Sequence, residues 1–277
     1  MKRFLFLLII LFNITMAHAE HIKKLSYTVT GSGEPLVLIH AFPTDKQLWK
    51  PQVDGLQDYF KVIVLDLKGF GSAPHTDGKT VTMTQYADDV KKVLDELHIK
   101  KAIIGGESMG GYVSLAFLKK YPDSVQALIL SDTQAIADTA EAKAKREASA
   151  QQVLTDGTAE LIHGFMPKAL SPAAAESTRT YLQKIVAAQS APGVASALRG
   201  MGAREDTSDV LARAIIPVLI LTGDQDTLIS PQQSDNMHAL AKNSELVIIS
   251  NAGHLSSLEQ PAQWNQAVIR KFYLAKQ

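Results

Sequence analysis

Ala102-Ile103-Ile104-Gly105-Gly106-Glu107-Ser108-Met109-Gly110-Gly111 is the stretch whose reading decides the fold. Its first four residues form a short apolar run, and residues 112–120 read as a helix. Between them, Gly106-Glu107-Ser108-Met109-Gly110 has the spacing G-x-S-x-G. Glycines there permit close packing around a sharp strand-to-helix turn, which lifts a serine hydroxyl above the end of a sheet in a strained conformation. Alone, the pattern is weak. Placed between a strand and a helix, it marks a nucleophile.

Working outward, similar apolar runs recur at 36–40 (LVLIH), 62–66 (VIVLD), 127–131 (ALILS), 218–222 (VLILT) and 246–250 (LVIIS). Continuous runs of this kind suit strands covered by helices on both faces, hence a mostly parallel sheet. The run 25–30 alternates more and is expected to pair at the sheet edge. Tyr86, Val90, Val93, Leu94 and Leu97 fall at helical spacing, with Thr84 as the expected N-cap. The alternation breaks once: residues 134–213 contain no convincing strand, 19 Ala and equal numbers of acidic and basic residues, nine of each. This insertion reads as a helical cap over the carboxyl edge of the sheet, where open α/β sheets bind ligands. The expected organisation is therefore a core of 20–133 and 214–277 interrupted by a cap of 134–213.

Composition narrows the function. The 277 residues carry 28 Lys+Arg and 28 Asp+Glu, with 46% hydrophobic residues and no Cys. Such a chain is globular, offers no basic footprint for nucleic acid, and can form neither a disulfide framework nor a thiolate site. Residues 1–19 begin with Lys2 and Arg3, continue through nine apolar residues (Phe4 to Phe12), and end at Ala17-His18-Ala19. This is the pattern of a signal peptide cleaved after Ala19, too short to span a bilayer permanently. The mature chain, with a formal charge of 26 − 28 = −2, is expected in the periplasm or secreted, without stable membrane insertion.

A serine hydroxyl needs a base to take its proton, and that base needs an orienting acid. His254 lies in Asn251-Ala252-Gly253-His254 after the last strand, and Gly223-Asp224-Gln225-Asp226 follows the strand before it. Ser, Asp, His in that order, each at the carboxyl end of a strand, is the arrangement of a nucleophilic triad. Asp224 and Asp132 are alternative acids. His40-Ala41-Phe42-Pro43 follows the strand 36–40, where the N–H of Phe42, together with that of Met109, can receive a developing oxyanion. His40 itself is expected to shape that loop from a buried position. Asp66-Leu67-Lys68-Gly69-Phe70-Gly71-Ser72 lacks the G-x-x-x-x-G-K-[ST] spacing of a phosphate cradle and reads as a structural turn.

Taken together, HAFP, LDLKGFGSA, GESMGG, GDQDTLISP and NAGHLSSLEQP resemble the α/β-hydrolase superfamily, near the group of small-ester carboxylesterases, enol-lactonases and cofactor-free haloperoxidases. The resemblance covers nearly all of 22–277 and is weakest in the insertion. It implies an α/β-hydrolase fold and a serine esterase acting on a small-molecule ester, with no cofactor; the sequence has no H-E-x-x-H or comparable ligand cluster, so no catalytic metal is expected. It also makes Asp226, the second Asp of G-x-x-D, the acid. Ala41 and Lys68 depart from the usual Gly and Arg. Alternatives on the same residues are an enol-lactonase, a perhydrolase, or a non-catalytic ligand-binding protein.

The remaining histidines have simpler readings. His98 is expected at the C-terminal end of a helix, where partial positive charge is favourable, His75 and His238 at the surface, and His21 near the mature terminus. In the insertion, His163, Phe165 and Met166 are candidate substrate contacts, and Leu161, Ile162, Leu198 and Met201 complete an apolar roof. Arg199 or Arg204 could hold a substrate carboxylate.

Overall fold

The computed structural model describes residues 25–276, so the expected signal segment, its cleavage point and His21 lie outside the described residues. Seven strands form one sheet: β1 (Tyr27–Thr30), β2 (Glu34–Ile39), β3 (Phe60–Leu65), β4 (Ala102–Glu107), β5 (Val125–Ser131), β6 (Val218–Gly223) and β7 (Ser244–Ile249). Their spatial order is β1-β3-β2-β4-β5-β6-β7. Only β1 runs antiparallel, at the edge against β3; the remaining pairs are parallel.

Each apolar run splits by period two between two cores. Val37, Ile39, Ile63, Leu65, Val218 and Ile220 face one, while Leu36, Leu38, Val62, Val64, Leu219 and Leu221 face the other. Both faces are dry, which is why these strands are apolar throughout. On the first face lie α2 (Met83–Glu96), α3 (Met109–Lys120), α8 (Ser208–Arg213) and α9 (Pro231–Leu240). On the second lie α1 (Lys50–Leu56), α10 (Ser256–Glu259) and α11 (Pro261–Phe272).

The N-cap of α2 is Thr82, not Thr84. Thr82 Oγ1 accepts the Gln85 N–H at 3.2 Å, and the Gln85 side chain accepts the Thr82 N–H at 2.8 Å. That reciprocal box satisfies two orphan donors. Thr84 would have Ala87 three residues on, which has no side-chain acceptor to return.

Between β5 and β6 run α4 (Ala140–Asp156), α5 (Ala159–Ala169), α6 (Glu176–Ala187), α7 (Ala191–Gly202) and then α8. Helix α4 packs on α7 and α5 on α6, whereas α8 returns to the core layer against α3 and α9. Among the described residues no helix is long and apolar enough to cross a membrane.

The strand order puts the reversal of winding between β2 and β4. From β2 the chain passes through α1 to β3 on one side, then crosses through α2 to β4 on the other. Connections diverge there and leave a crevice at the carboxyl ends, the place where such sheets hold ligands.

Candidate active site

Ser108 sits at that crevice with φ 53° and ψ −114°, in left-handed backbone that a non-glycine residue rarely adopts. Its neighbours explain how the turn closes. A Cβ on Gly106 would stand 2.1 Å from the Gly110 carbonyl, and one on Gly110 would stand 2.0 Å from the Ile39 oxygen. Only glycine fits at either place. The Ser108 N–H donates to the Ser131 carbonyl at 2.9 Å, anchoring the turn to β5.

The hydroxyl meets the two residues expected of it. His254 Nε2 lies 2.8 Å from Ser108 Oγ, and His254 Nδ1 lies 2.8 Å from Asp226 Oδ2. The other Asp226 oxygen accepts the N–H groups of Leu228 at 2.8 Å and Ile229 at 3.0 Å, which aims the carboxylate at the imidazole. A carboxylate only accepts, so Nδ1 carries the proton and Nε2 offers its lone pair to the serine O–H. All three side chains are buried.

The rival carboxylates are engaged elsewhere. Asp224 is exposed, and its Oδ1 accepts the Ala252 N–H at 3.2 Å. Asp132 is fully buried, accepting the Gly223 N–H at 2.7 Å and the Ser131 hydroxyl at 2.9 Å.

Beside the serine, β2 and β4 pair in register through Ile39 and Gly106. Phe42 and Met109 thus leave adjoining strand ends. Met109 opens α3, so its N–H has no acceptor within the helix. Buried Ala41 packs into the second core, and the Phe42 ring meets Phe70 edge-on at 6.4 Å. His40 is buried with both nitrogens used. Nδ1 lies 2.9 Å from the Ala41 carbonyl, and Nε2 accepts the Leu67 N–H at 3.1 Å. Burial holds its pKa below the usual imidazole range, so it is a neutral brace for this loop.

The turn after β3 is likewise structural. Burial alone would raise the Asp66 carboxyl, but bonds from Lys46 (side chain and N–H), Ser72 and Ser26 hold it below the ordinary range. Lys68 is exposed, and the ion pair at Asp66 comes from Lys46, at 2.5 Å.

The expected roof residues divide between the two cores. Leu161, Leu198 and Met201 pack with the first, and Ile162, Phe165 and Met166 with the second. His163 is exposed. With Ile162 and Met166 it lines a cleft of about 440 Å³ between α5 and α6 that contains none of Ser108, His254 and Asp226. The two arginines expected to hold a substrate carboxylate are already paired. Arg199 binds Glu147 at 2.7 Å, and Arg204 binds Asp138 at 2.7 Å.

Two groups escaped sequence reading. Glu107, the x before the serine, is fully buried and accepts the Ser257 N–H (3.1 Å) and hydroxyl (2.8 Å). Glu259 accepts N–H groups from both Ser171, at 2.9 and 3.0 Å, and Gly253, at 2.6 Å. It ties the end of α5 to the loop bearing His254. The signals were polar residues where apolar ones were expected, namely Glu107 at a strand end and Ser256-Ser257-Leu258-Glu259 after the histidine.

A strand–elbow–helix serine within reach of an imidazole and a carboxylate, on a doubly wound sheet, defines the α/β hydrolases. The profile of the alpha/beta hydrolase fold family matches residues 34–261, and the chain belongs to that family. Among solved structures, the chain is similar to a thermophilic esterase from Thermogutta terrifontis, determined with malate bound. The two are 35% identical with a TM-score of 0.88, over 91% of this chain and 93% of the other. It is 28% identical over 249 residues to 3-oxoadipate enol-lactonase 2 of Acinetobacter baylyi, covering 88% of this chain and 91% of that one. To the pimeloyl-[acyl-carrier protein] methyl ester esterase of Vibrio cholerae it is 26% identical, covering 88% and 96%.

Proposed function

We propose that this hydrolase cleaves small to medium carboxylic esters through an acyl-enzyme on Ser108. The observation that carries the reading is the unbroken chain from Ser108 Oγ to His254 to Asp226, with both contacts at 2.8 Å. Ser108 attacks the ester carbonyl as His254 takes its proton. Asp226 holds the imidazole tautomer and stabilises the imidazolium. The N–H groups of Phe42 and Met109 receive the oxyanion. His254 then protonates the leaving alcohol, and water repeats the cycle to free the acid. The similarity to esterases supports an ester substrate. The enol-lactonase relative favours a second reading, ring opening of a lactone by the same steps. Because Arg199 and Arg204 are paired within the protein, a neutral acyl group suits the site better than a dicarboxylate.

The test is a panel of p-nitrophenyl esters of rising acyl length, with lactone and peroxide assays beside it, on wild type and Ser108→Ala. Wild type should hydrolyse the esters, with kcat/KM rising from acetyl to butyryl or hexanoyl, and a fluorophosphonate should label it. Ser108→Ala should lose roughly 10⁴–10⁶-fold in kcat and all labelling. A mutant keeping more than about a tenth of wild-type turnover would overturn the role of Ser108.

A further inference from the structure

Behind the Ser108–His254–Asp226 chain lies a second set of buried carboxyl groups that the proposed reaction does not use. Glu107 ends β4 immediately before Ser108. Asp132 follows β5, the neighbouring strand, in left-handed backbone with φ 47°. Neither side chain reaches solvent. Asp132 takes the Gly223 N–H on one oxygen and the hydroxyls of Ser131 and Ser256 on the other. Ser131 in turn receives the Trp264 indole N–H at 3.1 Å. Glu107 takes the N–H and hydroxyl of Ser257. Glu107 pairs in register with Ser131, so the two carboxyls sit at neighbouring positions on adjacent strands. Neither forms an ion pair with Lys or Arg among the described residues, and two uncompensated carboxylates buried together disfavour double ionisation, which favours a proton on at least one of them.

We propose that Glu107 and Asp132 are positioning residues: a proton-holding carboxyl pair that sets the proton affinity of His254 and fixes the segment following it. The proposal rests on the serine-hydrolase reading above. The connection is short, since Ser256 and Ser257, which bind the pair, lie two and three residues after His254. The ionisable groups facing the pair are Asp226 and His254. Burial pushes the Glu107 carboxyl up to about 7, despite the bonds from Ser257. Asp132 is raised well above the carboxylate range by burial, then by Glu107 and Asp226. At acid pH the pair is neutral. When it loses its first proton it becomes an anion with no cation beside it except an imidazolium at His254. That charge favours the protonated imidazole, the form generated as Ser108 attacks. The pair therefore titrates as a unit, and its ionisation assists the step in which His254 gains a proton.

Glu107→Gln tests this. Glutamine keeps the shape but has no titratable proton, and its carbonyl still accepts one of the two bonds that Ser257 donates to Glu107. In wild type, kcat on a neutral ester should show a step near neutrality in addition to the step from His254. Infrared difference spectra between acid and alkaline pH should show a buried protonated carboxyl that is lost across the same range. Glu107→Gln should lose both the extra step and that band while keeping its near-ultraviolet circular dichroism. If it does not accumulate, Asp132→Asn provides the same two readouts. A variant with the wild-type pH profile and infrared band overturns the proposal. The hydrolase reading has its own readout. A wild type that resists fluorophosphonate sinks that reading and the positioning role together, whereas labelling with an unchanged profile sinks the pair alone.

Discussion

Gly110 can be replaced by alanine to ask how tightly the turn bearing Ser108 is built. The added Cβ would sit 2.0 Å from the Ile39 oxygen and 2.8 Å from its carbonyl carbon. Even a close C···O contact needs about 3.3 Å, so either β2 or the first turn of α3 must yield by about 1 Å. Both neighbours are backbone, locked in the parallel ladder on one side and the helix on the other, and neither can rotate away. Alanine would gain at most about 1 kcal/mol over glycine from helix propensity and the lost freedom of the unfolded chain. Overpacking a rigid site costs about 1–3 kcal/mol or more, so strain wins and the net loss should be about 1–2 kcal/mol. Activity should suffer further. The shift falls between Phe42 and Met109, and 1 Å of misplacement costs about 100-fold in rate. The opposite sign is expected at Gly164, inside α5, where an added Cβ meets nothing within 4 Å. Gly164→Ala should stabilise by about 0.5–1 kcal/mol with unchanged kcat. Urea unfolding midpoints with p-nitrophenyl butyrate turnover measure both. A Gly110→Ala enzyme as stable and active as wild type would refute the close-approach argument.

Asp226→Asn should lower kcat by orders of magnitude, because the imidazole loses its orienting charge, whereas Asp224→Asn should leave kcat within about two-fold. Similar rates in both variants would remove Asp226 from the triad. Glu259→Gln weakens the charged acceptor shared by Ser171 and Gly253. It should cost about 1–2 kcal/mol in urea unfolding and reduce kcat on the same ester; no change in either would show the tie to be slack. The folded state holds the Glu107 proton up to about 7 against an ordinary 4.5. Stability from this group is therefore present below 4.5 and is lost as pH rises to about 7. Thermal unfolding should show Glu107→Gln gaining on wild type across that range; a constant difference would contradict the assignment. We also propose that residues 1–19 direct export. Intact mass of protein recovered from a bacterial periplasm should place the N-terminus at Glu20, and retention of Met1 would dismiss cleavage.

Local patterns made much of this protein legible before its fold was known. Unbroken apolar runs such as 36–40 and 218–222 encode strands buried on two faces, because each residue, whichever side it takes, meets a dry layer. The elbow was legible in part because Gly106 is dictated by a contact within the turn, against Gly110, whereas Gly110 answers to the Ile39 carbonyl on β2. The order of Ser108, Asp226 and His254 was legible because parallel strands place every following loop at the same edge. What the chain could not reveal alone were pairings across long separations. Ser108 and His254 lie 146 positions apart, and nothing local chooses Asp226 over Asp224 or Asp132. That choice follows from the N–H groups of Leu228 and Ile229 turning one carboxylate toward the imidazole, while Ala252 and Gly223 occupy the other two. The partition of the insertion's apolar stripe between two cores is likewise tertiary. Helical spacing marks an apolar face without naming what covers it. Glu107 and Asp132 come to one place only because β4 and β5 are neighbours in the sheet, and burying two carboxyls there is tolerable only because N–H and O–H groups surround them.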